Sequence, residues 1–182
     1  MNLLDLLDLP LGVWVGAALL IFWAVGAYNR LVRLRGSAVQ AFSLLESQWL
    51  RHLAWLDVQA MPKASPASPD TADWRILQPA ITQFRACLQA AKIRPLDASQ
   101  LAALSSAWTV MRMACDQTLA ASSDADAFFS EALRPQWEQM MVQDQAAVTA
   151  FNAAVAELNA ALRQFPAFVL AWLVGFRVAR PL

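Results

Sequence analysis

From Leu9 to Tyr28 the chain carries no charged residue. Twenty residues of α-helix cover about 30 Å, roughly the thickness of a bilayer's hydrocarbon core. A stretch this long and apolar has few places to go except lipid, so residues 9–28 read as a transmembrane helix. Pro10 suits the first turn of a helix, where its missing N–H costs nothing. Trp14, Trp23 and Tyr28 are amphipathic rings of the kind that settle at membrane interfaces. Val25-Gly26-Ala27 resembles a cleavage site, but the preceding segment holds Asp5 and Asp8 and no Lys or Arg, whereas a signal peptide needs a positive start. Residues 1–8 therefore read as a short extracytoplasmic tail, with Leu3, Leu4, Leu6 and Leu7 adding an amphipathic turn. Arg30, Arg33 and Arg35 follow the span directly, so the positive-inside rule puts the N-terminus outside and the rest in the cytoplasm. Gly12 and Gly16 form a GxxxG pair, through which two such helices can approach as a homo-oligomer.

Beyond the span the apolar residues recur by three and four. The first stripe is Leu31, Leu34, Ala38, Phe42, Leu45, Trp49, Leu53 and Leu56, ending at Met61-Pro62. Pro62 to Asp70 reads as a loop, with Asp70 or Asp73 capping a second helix striped by Trp74, Leu77, Ile81, Phe84, Leu88 and Ala91. Pro79 should kink that helix or delay its start, and Arg94-Pro95 closes it. Asp97 or Ser99 can cap a third helix, carrying Leu101, Leu104, Trp108, Met111, Cys115 and Leu119. Ser122 to Asp126 is a polar break, with Asp124 a cap for a short stretch through Phe128 and Phe129. Pro135 opens a last long helix with Trp137, Met141, Val148, Phe151, Val155, Leu158, Leu162 and Phe165. The periodicity predicts an all-α protein: a transmembrane helix continuous with a coiled-coil-like antiparallel bundle of three or four long helices over residues 29–164. Formal charge is zero, with 14 residues of each sign, so no basic excess points to nucleic acid.

Two segments resemble the LemA family of bacterial membrane proteins. One is Tyr28-Asn29-Arg30-Leu31-Val32-Arg33-Leu34-Arg35, directly after the span. The other is Phe151-Asn152, Asn159, Phe165-Pro166 and Gly175-Phe176. The family pattern has a Tyr-Asn after its anchor, a second Tyr-Asn in the last helix, and a Phe-Pro followed by a Gly-Phe, in this order and spacing. Leu53 to Gln59 departs from the family's usual Asp-Leu-Ile-Pro-Asn-Leu-Val type of stretch, and Val148 and Phe151 stand where it tends to have Arg and Tyr. This is the pattern of a divergent member. The resemblance implies a single-pass protein of the bacterial inner membrane with a helical bundle; it assigns no chemical role to these positions.

The residues offer little chemistry. His52 is the only histidine, which excludes a His-based metal cluster and HExxH. Beside an apolar stripe it reads as a surface or groove residue. No Walker loop, GxGxxG or GxSxG appears, and no catalytic, cofactor-binding or metal-ligating set is assigned. Asp144 falls near the stripe of the last helix. A slight rotation of the helix would leave it solvated, and if buried it needs a partner, for which Arg112 is a candidate. Asn152 and Asn159 share one helix face and read as register-fixing residues, with a binding role the alternative. A hairpin turning near residue 96 would set Cys87 and Cys115 about 15 Å apart, too far for a disulfide. The leading expectation is a non-enzymatic membrane-anchored scaffold or interaction protein with an unknown protein partner. The alternatives are a membrane-bound hydrolase using carboxylates and a lipid- or peptide-binding module.

The end of the chain carries one further expectation. Residues 165–176 hold no charge, are flanked by Arg163, Arg177 and Arg180, and are too short to cross a bilayer. An up-down bundle would bring the last helix back to Tyr28, so residues 165–182 should lie near the membrane, against its inner surface or capping the bundle's membrane end.

Overall fold

The computed structural model describes residues 11–60, 72–121, 133–164 and 178–182. They form four α-helices: α1 Leu11–Ala60, α2 Ala72–Ile93, α3 Ala98–Ala121 and α4 Arg134–Arg163. Among the described residues there is no strand. The three-and-four periodicity has produced what it encodes, because every described side chain of the four stripes from Leu31 to Leu162 is buried or half-buried.

α1 is a single helix of 50 residues with two different halves. Up to Arg30 its large apolar side chains are exposed; Phe22, for instance, is 80% exposed. This is one candidate membrane-spanning helix at the N-terminal side of the chain. From Leu31 onward the same helix enters the core, with Leu31, Ala38, Phe42, Leu45, Trp49, Leu53 and Leu56 almost completely buried.

The bundle is built of two antiparallel pairs. α1 pairs with α4, and α2 pairs with α3, while α1 and α2 touch more lightly. The register of the first pair is fixed by contacts along its length. Arg30 Nη1 donates to Gln164 Oε1 at 3.1 Å, Phe42 meets Phe151 edge-on at 5.8 Å, and Trp55 Nε1 donates to Gln136 Oε1 at 3.3 Å. As one number rises the other falls, so α4 returns to the level at which α1 emerges from its exposed half. The up-down topology expected from the short connections is the one found. The second pair turns tightly, with Arg94 N–H donating to Ala91 O and Asp97 N–H to Arg94 O, both at 3.1 Å. Asp97 then caps α3, since its Oδ1 accepts from the backbone N–H of Ser99 at 2.9 Å and of Gln100 at 3.2 Å. These hydrogen bonds, with the Ser99 hydroxyl contributing most, hold its carboxyl below the usual carboxylate range. Pro79 does not end α2; the helix runs through it, with the proline ring exposed.

The two pairs are joined by a cluster of rings. Trp49 of α1 lies 5.3 Å from Phe84 of α2 and 5.2 Å from Trp108 of α3, and Phe84 and Trp108 are 5.3 Å apart. Aromatic pairs at such separations contribute about 0.5–1.5 kcal/mol each beyond the apolar area they bury. The ion pairs Asp57–Arg85 at 2.8 Å and Glu46–Lys92 at 2.9 Å flank this seam; the first, open to solvent on both sides, contributes little individually.

Cys87 and Cys115 are free thiols, the first half-buried and the second buried. Burial pushes the Cys115 thiol up to about 12. In the folded chain a thiol reagent should therefore label Cys87 and spare Cys115, and both should react once the protein is denatured without reductant. Equal labelling of the two in the native state would contradict the core position of Cys115.

Candidate functional site

Two arrangements in the bundle involve polar groups in unusual positions. The first lies inside the seam between α1 and α4. Trp137, Asp144, Phe151 and Leu158 recur every seven residues along α4 and are all buried, which puts a carboxylate at a core position. On α1, His52 stands three residues after Trp49 and four before Leu56, on the core-facing side. His52 and Asp144 are 4% and 2% exposed, and Nδ1 of the histidine lies 2.9 Å from Oδ2 of the aspartate.

Both outcomes correct the sequence reading. Asp144 is not rotated out to solvent: Met141 and Val148 are the half-buried residues, and the aspartate takes the core position between them. Its partner is His52, not Arg112, which is exposed, and His52 is a core residue rather than a surface or groove one. Residue type misled here, since burying a carboxylate is costly unless it is paired. The heptad spacing of Asp144 with Trp137 and Phe151 was the signal for its burial.

The group is short of partners. Trp49 Nε1, His52 Nδ1 and both Asp144 oxygens are sealed from solvent with no well-aligned hydrogen bond; the short His52–Asp144 contact is a bent one. Desolvation pushes the Asp144 carboxyl above the ordinary carboxylate range, and the His52 and Trp49 donors pull it only partway back. The other buried polar side chain among the described residues, Thr118, donates back to its own helix at Ala114 O and Cys115 O. The histidine–aspartate pair is thus almost completely buried. It acts as a polar pin that fixes the register of α1 against α4.

The second arrangement lies on an adjacent face of α4. Asn152 and Asn159 each engage the backbone of the chain's own end. Asn159 Nδ2 donates to Ala179 O at 2.7 Å, and Ala179 N–H donates to Asn159 Oδ1 at 3.0 Å. Asn152 repeats the pattern one step along, with Nδ2 donating to Leu182 O at 2.9 Å and Leu182 N–H donating to its Oδ1 at 2.8 Å. Residues 178–182 therefore run antiparallel to α4, with Ala179 buried, Leu182 half-buried against the core, and Val178, Arg180 and Pro181 facing out.

The sequence put Asn152 and Asn159 on one face but left their partner unnamed. Five residues carry no periodicity, so nothing in Val178 to Leu182 marked them as seated. The available signal was the pair itself: asparagine is a poor helix former, and two of them mid-helix at matched spacing need a use. Of the other residues singled out by the family resemblance, Phe151 is buried against Phe42, while Tyr28, Asn29 and Arg33 are exposed at the head of the bundle. Phe165, Pro166, Gly175 and Phe176, and the segment 165–176 as a whole, lie outside the described residues, as do residues 1–8, the Pro62 to Asp70 loop and the Ser122 to Phe129 stretch. Among the described residues no three His, Cys, Asp or Glu side chains converge as a metal site would require. Among the described residues, one cleft of about 400 Å³ lies between the ends of α3 and α4, lined by Leu119 and Trp137. Comparison with protein-family models, with curated proteins and with solved structures finds no match for this chain.

Replacing either member of the buried pair alone, as His52→Ala or Asp144→Ala, should cost about 3–5 kcal/mol, because it strands the other polar group. Replacing both with leucine should cost less than the sum of the two, as urea unfolding of the four chains would show. Singles that each change stability by under about 0.5 kcal/mol, the range of surface sites, would contradict the pairing. There is a pH corollary. A carboxyl whose pKa is raised in the folded chain adds stability below its unfolded value of about 3.9, and this is lost as pH rises through the folded value. Relative to Asp144→Asn, the natural chain should therefore lose stability from about pH 4 upward.

Proposed function

We propose that this chain is a membrane-anchored, non-enzymatic interaction scaffold, a divergent member of the LemA family with its bundle on the cytoplasmic side of a bacterial inner membrane. The observation that carries the anchor is the upper half of α1, where Leu19, Leu20, Ile21 and Phe22 stand exposed. In water such a surface is strongly unfavourable; in lipid it is matched. Orientation with the N-terminus outside rests on Arg30, Arg33 and Arg35 immediately after the span. Family membership rests on the Tyr28-Asn29 and Asn152/Asn159 motifs. Gly12 and Gly16 have open space around them within the chain, which suits close approach of a second anchor helix.

The interaction role rests on what surrounds the anchor. The histidine–aspartate pair is buried, whereas the hydrolase reading needs reacting groups that a substrate can reach. A peptide-binding role is favoured by the asparagine pair and is developed below.

The protein should remain in the membrane pellet after alkaline carbonate extraction, and a reporter fused after Leu182 should behave as cytoplasmic. Full-length chain in the carbonate supernatant would overturn the anchor, and activity of a periplasm-only reporter would overturn the orientation.

A further inference from the structure

The two asparagines form four hydrogen bonds, all to main-chain atoms of residues 179 and 182. A primary amide offers a donor and an acceptor side by side, as a peptide unit does. Each asparagine therefore pairs with a residue's N–H and C=O much as a neighbouring strand would. The spacing is commensurate. Seven helical residues from Asn152 to Asn159 rise about 10.5 Å, and three extended residues from Ala179 to Leu182 cover about 10 Å. Two turns of helix thus read every third residue of an extended chain.

This reading ignores most side chains. Arg180 and Pro181 lie between the clamped residues and face out, and a proline, which lacks an N–H, sits there without loss because no asparagine asks for one. Selectivity is left to two positions: a small residue where Ala179 is 2% exposed, and a large apolar one where Leu182 packs on the core.

The place is also distinctive. Glu46 pairs with Lys92 and Trp49 with Trp108, so counting along the helices puts the α2–α3 turn level with about residue 40 of α1. Above that turn the α1–α4 pair extends toward its exposed half with no second pair beside it. The five tail residues lie there, level with Asn152 to Asn159.

We propose that Asn152 and Asn159 form a peptide-backbone clamp on α4 that takes an extended segment with a small residue followed three positions later by a leucine-like one, and that residues 178–182 are its resident intramolecular occupant. The partner is a polypeptide in extended conformation that displaces the tail. Main-chain pairing supplies the affinity and the two apolar positions the selectivity, as in strand-addition modes of recognition. An incoming peptide competes against the tail's own copy of the contacts. The proposal names a partner class for the interaction role above and rests on that reading for its use in the cell.

The test uses the full chain in detergent micelles and a fluorescent synthetic peptide with the sequence of residues 177–182. The peptide should bind saturably to a chain lacking residues 178–182, and at least tenfold more weakly to the intact chain. The substitution Ala179→Arg, which leaves the tail attached but too large to seat, should expose the site as deletion does, which covers the case of a deleted chain that folds poorly by circular dichroism. N-methylation of the peptide at the positions of Ala179 or Leu182 should weaken binding at least tenfold, whereas N-methylation at the Arg180 position should leave it unchanged. Asn152→Asp and Asn159→Asp, which keep the acceptor and lose the donor, should weaken it at least tenfold. Equal binding to intact and tail-deleted chains, or indifference to the N-methyl positions, would overturn the clamp. Because binding is read in micelles, a failed clamp leaves the carbonate and reporter results standing, and a failed anchor leaves the clamp testable.

Discussion

The architecture depends on the antiparallel seam between α1 and α4. α1 must stay helical through 50 residues, because any break would separate its exposed apolar half from the half that enters the core. α4 is the element that follows it over most of its lower length, from Trp55–Gln136 up to Arg30–Gln164. The α2–α3 hairpin is shorter and joins the seam through the Trp49, Phe84 and Trp108 rings. Seven-residue spacing on α4 then leaves no choice about Asp144: its backbone position is fixed by Trp137 before it and Phe151 after it, and it is carried into the seam. His52 is what makes that position tolerable.

How much of this was legible in the sequence follows from what each residue reports. Apolar residues at three-and-four spacing report burial directly, so the four helices, the turn at Arg94-Pro95 and the Asp97 cap could be read in advance. Pro79 promised a kink or a late start; the late start did not follow, since α2 begins at Ala72 and continues through the proline. Polar residues report burial ambiguously, since the same aspartate is exposed or buried according to a partner 92 residues away in the chain. His52 and Asp144 each looked more at home in water, and only together do they suit a core. Pairings between distant side chains leave no local pattern, and neither does an extended tail whose contacts are made by its backbone.

The two polar arrangements divide the labour along α4. The pair at Asp144 is enclosed, made of side chains on both partners, and intolerant of single changes. The pair of asparagines is at the edge, half-exposed, and contacts backbone only. The first specifies which helix meets which, since a misregistered seam would bury one polar group without its partner. The second leaves its amides able to return to water, so releasing what they hold costs far less than opening the core.

The continuity of α1 has a mechanical consequence. A helix without an interruption behaves as a shaft: its backbone hydrogen bonds resist twisting, so rotation at one end arrives at the other. With side chains the radius is about 5–6 Å, so a turn of about 30° in the lipid would sweep the core-facing side chains by about 3 Å. A close-packed interior does not absorb a shift of that size by small adjustments. Leu31, Ala38 and Phe42, the first buried positions after the exposed half, would be first to feel such torque, and the tail lies level with the stretch between Leu31 and Phe42. The chain thus places its most easily released segment where a twist of the anchor would first be felt.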